Sequence, residues 1–358
     1  MSLAQSPPAR VLVVDDSATV RAFLCWLVEQ AGFIVAGAAE NVAEAERLVH
    51  RRRPDLVLAD VHLPDGDGIE LTRRVLAEHA VPIILITARD PTNPHLVFRA
   101  LEAGALDVLA KPPAATSPEL PAYRRSFEAT LKCLVGTPIV RRKPRPAEPA
   151  AGHPVIAPPS RPAAPRLDPA VPPLLAIAAS TGGPLLVGDL LKALPAGGFA
   201  LAIIVQHIVP DFADSFRAWL GEHAGKPVRF AENGRAPVTG GIYLAPPHCH
   251  VQLHRDGTFR TPPTLDVPVS HVPSADALFT SLALARPTET LAIQLTGMGS
   301  DGAEGLARLL AAGGHTIVQS PETATVDGMP RSAIERGAAL EVLRPEQIAE
   351  RLRSLMVR

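Results

Sequence analysis

The chain has 358 residues, with 35 Lys+Arg against 36 Asp+Glu, a length that predicts two domains, each large enough for its own core. That near-neutral balance argues against bulk nucleic acid or an anionic membrane surface as the main partner, because both need a cationic excess. Cys25, Cys133 and Cys249 are too few and too far apart for a disulfide framework or a spaced zinc site, which points to reduced thiols of a cytoplasmic protein.

No uncharged apolar run approaches the roughly 18 residues of a membrane span. The polar, proline-broken start from Met1 to Arg10 does not fit a secretory signal. From Arg10 to about Val135, short apolar runs (Val11 to Val14, Leu56 to Ala59, Ile83 to Ile86, Val108 to Leu109) alternate with segments of helical period, the mark of βα units feeding a parallel sheet. Between Thr137 and Pro173 twelve of 37 residues are proline, so this segment reads as an extended, solvated linker. Its basic cluster, Arg141, Arg142, Lys143 and Arg145, reads as solvated linker charge. From Leu174 the βα rhythm resumes, with strands over Leu174 to Ala178, Leu201 to Val205, Leu291 to Leu295 and Thr316 to Val318, and helices such as Leu185 to Leu194 and Ala303 to Ala312. Arg229 to Phe259, punctuated by Gly-Gly and Pro-Pro, is expected to form a hairpin or irregular excursion. The predicted partition is therefore 1–136, a linker over 137–173, and 174–358, both domains α/β and the second doubly wound and mostly parallel.

In the first domain polar residues stand where each apolar run ends: Asp15 and Asp16, Asp60, Thr87, and Lys111. The carboxyl ends of an open parallel sheet form its ligand crevice. Three carboxylates meeting there repel one another unless a hard cation joins them, and Mg2+ takes a few carboxylates plus water and phosphate oxygens. One carboxylate can then attack a phosphoryl group, with Lys111 pairing with the product phosphate and the Thr87 hydroxyl donating to it. Any one of these residues alone reads as a helix cap; five in strand order read as a site. On these residues, and on Asp60-Val-His-Leu-Pro-Asp-Gly-Asp-Gly68, the segment Arg10 to Val135 resembles the receiver domain of two-component response regulators. The resemblance implies a five-stranded, flavodoxin-like sheet, Asp60 as phosphoacceptor, Asp15 and Asp16 helping it to hold Mg2+, and a histidine kinase as phosphodonor. Val108 departs from the pattern, since receivers usually place an aromatic residue three positions before the lysine.

In the second domain a strand leads into Ala179-Ser180-Thr-Gly-Gly-Pro184 and then a helix. Ser180 is thereby placed beside the positive helix end, where backbone N–H groups can receive developing negative charge. The next strand runs into Gln206-His207, and a third opens into Thr296-Gly-Met-Gly-Ser-Asp301-Gly302. A serine hydroxyl needs a base within hydrogen-bond reach and a carboxylate to orient that base, so the expected roles are Ser180 nucleophile, His207 general base then acid, and Asp301 orienting group. The chain order and the lack of a Gly-x-Ser-x-Gly elbow separate this arrangement from the α/β-hydrolases.

Two other patterns compete. Gly297 to Gly302 satisfies G-x-G-x-x-G with Glu322 following, but Asp301 would set a carboxylate inside the turn that must cradle pyrophosphate. His248, Cys249, His250, His254 and His271 invite a metal reading, yet no adjacent carboxylate or cysteine pair completes a set. Loop histidines are expected, with His271 retained as a pocket member.

Ala179 to Pro184, Gln206-His207, Tyr243 to Pro246, Pro273-Ser274-x-Asp276, Leu295 to Gly302 and Ala324 to Pro330 together resemble the catalytic domain of the chemotaxis protein-glutamate methylesterases. With the receiver, the resemblance covers nearly everything except the linker. It implies hydrolysis of γ-glutamyl methyl esters on chemoreceptors to glutamate and methanol, and deamidation of selected receptor glutamines, with no cofactor for the hydrolysis. Neither nucleic-acid binding nor membrane insertion is expected. By the resemblance, Ser180, His207 and Asp301 match the family triad, Thr181 lies beside the nucleophile, the Met298 amide matches an oxyanion donor and His271 a further active-site histidine. Ile208 and Val272 depart from the usual methionine and arginine. A phosphorylation-switched adaptor without esterase activity is the alternative reading; it would bind receptor without releasing methanol.

Overall fold

A run of consecutive apolar residues has no polar face to turn to water, so β1 (Arg10–Val14), β3 (Leu56–Asp60) and β4 (Ile83–Thr87) lie inside a parallel sheet covered on both sides. In the computed structural model, which describes residues 7–88, 96–137, 174–194, 199–265 and 271–356, these strands join β2 (Ile34–Ala39) and β5 (Asp107–Ala110) in the order β2-β1-β3-β4-β5, every pair parallel. The expected linker after Thr137, with Arg141, Arg142, Lys143 and Arg145, lies outside the described residues. Alternate residues of the strands feed opposite cores. Val11, Val13, Leu56 and Ile84 meet α1 (Ala18–Gln30) and α5 (Leu120–Leu134), while Leu12, Val57, Ile83 and Leu85 face the side of α2 (Val42–Arg52), α3 (Gly68–Glu78) and α4 (Leu96–Glu102). Strand β2 has too little apolar signal to show in sequence because its IVAGAA run is half alanine; as an edge strand it is recruited by pairing with β1.

The second sheet has seven strands, all paired in parallel: β6 (Leu174–Ala179), β7 (Leu201–Gln206), β8 (Val228–Phe230), β9 (Gly241–Leu244), β10 (Thr290–Gln294), β11 (His315–Gln319) and β12 (Glu341–Leu343), in the order β8-β9-β7-β6-β10-β11-β12. One face carries α6 (Gly183–Ala193), α7 (Ala213–Ala224) and α11 (Pro345–Met356); the other carries α8 (Ala275–Ala285), α9 (Ala303–Ala311) and α10 (Gly328–Glu335). The stretch Arg229 to Phe259 does contain a short hairpin, Gln252–Leu253 with Phe259–Arg260. It also contributes to the main sheet, because the four buried residues of β9 find an open edge on β7. The chain leaves β6 in one direction, through β7, and returns to its other side through β10. The carboxyl ends of β6 and β10 therefore flank the switch point, where an open α/β sheet has its crevice.

The α4–β5–α5 face of the first domain lies against that crevice. Phe98 of α4 stacks on Phe216 and Trp219 of α7, with ring centroids 5.5 and 4.8 Å away. The Trp219 indole donates to Glu102 at 3.2 Å, and the Thr181 hydroxyl, one residue after Ser180, donates to Asp107 of β5 at 3.1 Å.

Gly68 marks a tight approach in the loop after β3, since a Cβ there would meet the Asp60 carbonyl oxygen at 2.3 Å. Gly68→Ala is expected to cost about 1–3 kcal/mol of overpacking, read as a lower midpoint in denaturant unfolding of the full chain. An unchanged midpoint would show that the loop yields freely.

Candidate active site and phosphoacceptor pocket

Parallel pairing settles the first two members of the second site. Ala179 on β6 is in register with Gln206 on β7, and the His207 amide donates to the Ala179 carbonyl at 2.9 Å. Ser180 and His207 therefore leave adjacent strands at the same level, with strands about 4.8 Å apart. Gly182 makes the turn into α6 at φ +77°, where a Cβ would meet the Thr325 side chain at 2.4 Å. The Ser180 amide donates to the Thr296 carbonyl at 3.0 Å, fastening this corner to the loop after β10.

Asp301 comes from that loop and is buried. Its Oδ2 accepts from His207 Nε2 at 2.8 Å and from the Ala275 amide at 2.7 Å. Its Oδ1 accepts from the Ser274 hydroxyl at 2.9 Å and from the Asp276 amide at 3.1 Å. Burial alone would push this carboxyl up, but the His207 hydrogen bond and charge, with the amides at the start of α8, outweigh it and hold the pKa at about 2. The carboxylate is thus ionised and fully engaged, and it fixes the His207 tautomer with the proton on Nε2. Nδ1 is buried with no hydrogen-bond partner among the described residues. It is the ring nitrogen left open to a further hydrogen bond.

His271 lies face to face with His207, ring centroids 4.3 Å apart and planes 7° from parallel. Burial, reinforced by the charge of His207, holds His271 below its ordinary pKa against the pull of Asp301, so a neutral ring covers the base. Donor atoms of His207, His271 and Asp301 lie within 4.8 Å of one another, but two parallel imidazoles cannot aim their in-plane lone pairs at one metal without a ring turning. Met298 is half-buried between Gly297, whose amide donates to Val326 at 2.9 Å, and the exposed Gly299. His250 is buried and accepts from the Ser274 amide at 3.2 Å, so it supports the anchor of Asp301. Among the described residues, no metal-capable cluster includes His248, Cys249, His250 or His254. Asp301 also fills the turn that the dinucleotide pattern would need open.

In the first domain the register of β1, β3, β4 and β5 brings the expected residues to one edge. Lys111 Nζ sits 2.6 Å from Asp60 Oδ2 and 3.1 Å from Asp15 Oδ2. Burial pushes the Asp15 carboxyl up, against the bonds and charge of Lys111. Burial would lower Lys111, but hydrogen bonds and charge from Asp60 and Asp15 together raise it. Asp15, Asp16 and Asp60 offer oxygens within 4.8 Å of one another. Three carboxylates against one ammonium leave a charge surplus that fits a hard divalent cation. The Thr87 hydroxyl is buried and donates to the Ala88 carbonyl at 3.0 Å.

Sequence reasoning missed Asp107, Thr296 and the role of Ser274. Burial pushes Asp107 up to about 6, opposed by the Val108 amide and the Thr181 hydroxyl. The Thr296 hydroxyl donates to the carbonyls of Thr181 and Val326 at 2.9 and 3.2 Å. The only signal for Ser274 was its place in Pro273-Ser274-x-Asp276; Asp107 gave none, because its partner lies 74 residues away.

Comparison with known proteins gives two family matches: CheB methylesterase over residues 175–352 and response regulator receiver domain over residues 11–118. The chain is 35% identical over 353 residues to protein-glutamate methylesterase/protein-glutamine glutaminase 3 of Hahella chejuensis, covering 97% of this chain and 98% of that protein. It is 40% identical over 345 residues to protein-glutamate methylesterase/protein-glutamine glutaminase 3 of Anaeromyxobacter dehalogenans, covering 96% and 98%. The crystal structure of the Thermotoga maritima CheB methylesterase catalytic domain aligns at 32% identity with a TM-score of 0.47, covering 51% of this chain and 97% of that one.

The depressed Asp301 pKa links this corner to pH. A carboxyl at about 2 when folded and near 3.9 when unfolded contributes about 2–3 kcal/mol above pH 4 that is lost as pH falls through 2. Denaturant unfolding should therefore show wild type more stable than Asp301→Asn at pH 5, with the gap closing toward pH 2. A gap independent of pH would mean that the carboxylate charge does not hold the corner.

Proposed function

The chain belongs to the CheB methylesterase family, with a receiver domain ahead of the methylesterase domain, and on that footing we propose that it hydrolyses glutamate γ-methyl esters on chemoreceptors under the control of phosphorylation at Asp60. The same site would deamidate selected receptor glutamines; the relatives compared above carry protein-glutamine glutaminase in their names. The observation that carries the reading is the ionised Asp301 holding His207 by Nε2 at the strand level of Ser180.

In the proposed reaction, Ser180 rotates its hydroxyl to His207 Nδ1, loses the proton to it and attacks the ester carbonyl carbon. The tetrahedral oxyanion is received by backbone donors, the Met298 amide and the start of α6 beside Thr181, which act strongly in a water-poor site. His207 then gives its proton to the departing methoxide, releasing methanol and leaving an acyl-Ser180. Water repeats the sequence, with His207 as base, and frees the glutamate carboxylate. Asp301 keeps the imidazole oriented and stabilises its charged form, and the neutral His271 shields one ring face.

The receiver regulates by covering this corner. Its β5 carboxylate, Asp107, engages Thr181 beside the nucleophile, and Phe98 packs against α7. Asp60 is the proposed phosphoacceptor, taking a phosphoryl group from a histidine kinase. Asp15, Asp16 and Asp60 would hold Mg2+, which supplies charge neutralisation of the phosphoryl oxygens. Lys111, now paired with Asp60 and Asp15, is placed to turn to the new phosphate, and Thr87 to donate to it. Phosphorylation would then shift the population from docked to open arrangements.

Methanol release from methylated receptor, with and without a small-molecule phosphodonor, tests the whole reading. Wild type should respond to the phosphodonor and Asp60→Asn should not, while Ser180→Ala and His207→Ala should lose activity by about 10³-fold or more with the fold intact. Activity retained in both triad variants would refute the assignment, and receptor binding without methanol release would favour an adaptor. Phe98→Ala, which removes a ring shared by both domains, should raise the rate without phosphodonor several-fold. An unaltered basal rate would separate the aromatic contact from gating.

A further inference from the structure

Three strands of the second sheet end on a buried glutamine: Gln206 on β7, Gln294 on β10 and Gln319 on β11. A buried carboxamide costs stability unless its donors and acceptor are matched, so the partners show what each is for. Gln294 Nε2 donates to the Asp301 carbonyl at 2.8 Å. Gln319 accepts from the Thr296 amide at 2.8 Å and donates to the Thr323 carbonyl at 3.0 Å. Gln206 bridges two corners at once, its Nε2 donating to the Ser180 carbonyl at 2.8 Å and to the His207 carbonyl at 3.0 Å.

One planar NH2 group therefore spans the backbones of the proposed nucleophile and base. Its orientation is dictated by those partners, because turning the amide over would set an oxygen against two carbonyl oxygens. The opposite end, Oε1, is buried with no hydrogen-bond partner among the described residues. It faces Gly183, where a Cβ would approach it to 2.7 Å. Gln294 Oε1 is likewise buried with no partner among the described residues, so what sets Gln206 apart is its donor end, which holds the carbonyls of both Ser180 and His207.

We propose that Gln206 is a positioning residue for the hydrolysis: its carboxamide NH2 sets the spacing of the Ser180 and His207 backbones, and so the reach from the Ser180 hydroxyl to His207 Nδ1. It touches neither substrate nor the transferred proton. The inference rests on the Ser180–His207–Asp301 reading given above. A misplacement of about 1 Å between reacting groups can cost on the order of 100-fold in rate, and removal of this clamp permits shifts of that size.

The test compares full-length wild type, Gln206→Leu and Gln206→Glu by three measurements: methanol release with phosphodonor, the rate of Ser180 labelling by a fluorophosphonate between pH 6 and 8, and denaturant unfolding. Gln206→Met is carried in parallel as the apolar variant should the leucine form not fold. Both apolar and acidic variants should lose about 10- to 100-fold in kcat with KM within about twofold. Relative to wild type at each pH, labelling of Gln206→Glu should recover in part toward pH 6, as the introduced carboxyl gains a proton and can donate to one of the two carbonyls. The apolar variants should show no such recovery. Variant rates within threefold of wild type, or losses that are equal in all variants at every pH and match the unfolded fraction, overturn the positioning role. If wild type itself releases no methanol and is not labelled at Ser180, the hydrolase reading falls first and this inference with it.

Discussion

A single buried charge organises the second domain. The Asp301 carboxylate accepts from His207, Ser274 and the amides of Ala275 and Asp276, and such a group is tolerable in a protein interior only when fully matched. Meeting that demand sets the start of α8, the turn before α9 and the tautomer of the imidazole on β7 together. The His207 ring is then presented with one nitrogen engaged and the other unspent. Shape and reactivity share one cause here.

The receiver meets this corner at its most sensitive edge. Thr181, the residue next to Ser180, is bonded on one side to Asp107 of the receiver, and its own carbonyl is held by Thr296. Receivers usually carry an aromatic residue where this chain has Val108, which is buried. The aromatic content of the interface comes instead from Phe98 on α4, stacked on Trp219. In this chain α4 carries the large apolar contact together with the Trp219–Glu102 hydrogen bond, and β5 adds the Thr181–Asp107 one.

Strand ends were legible in the sequence because a buried parallel strand must be apolar along its length, and the first polar residue after it marks the carboxyl edge. Asp15, Asp60, Thr87 and Lys111 in one domain, and Ser180 and His207 in the other, were found by that rule, and the register of paired strands places each set along one edge. Strands β2, β8, β9 and β12 escaped it. They are short or alanine-rich, and they pair because a neighbouring edge is open to them rather than because their own pattern demands it.

By itself the sequence determined the βα alternation, the position of each chemically active side chain along it and the resemblance that those motifs carry, since these depend on residue type and local spacing alone. Only tertiary structure decided which nitrogen of His207 faces Asp301, that Ser274, Gln206 and Thr296 brace the corner, and that Asp107 reaches Thr181. Those outcomes depend on hydrogen bonds between residues up to 115 positions apart, and a polar side chain announces that it needs a partner without saying which one the fold will supply.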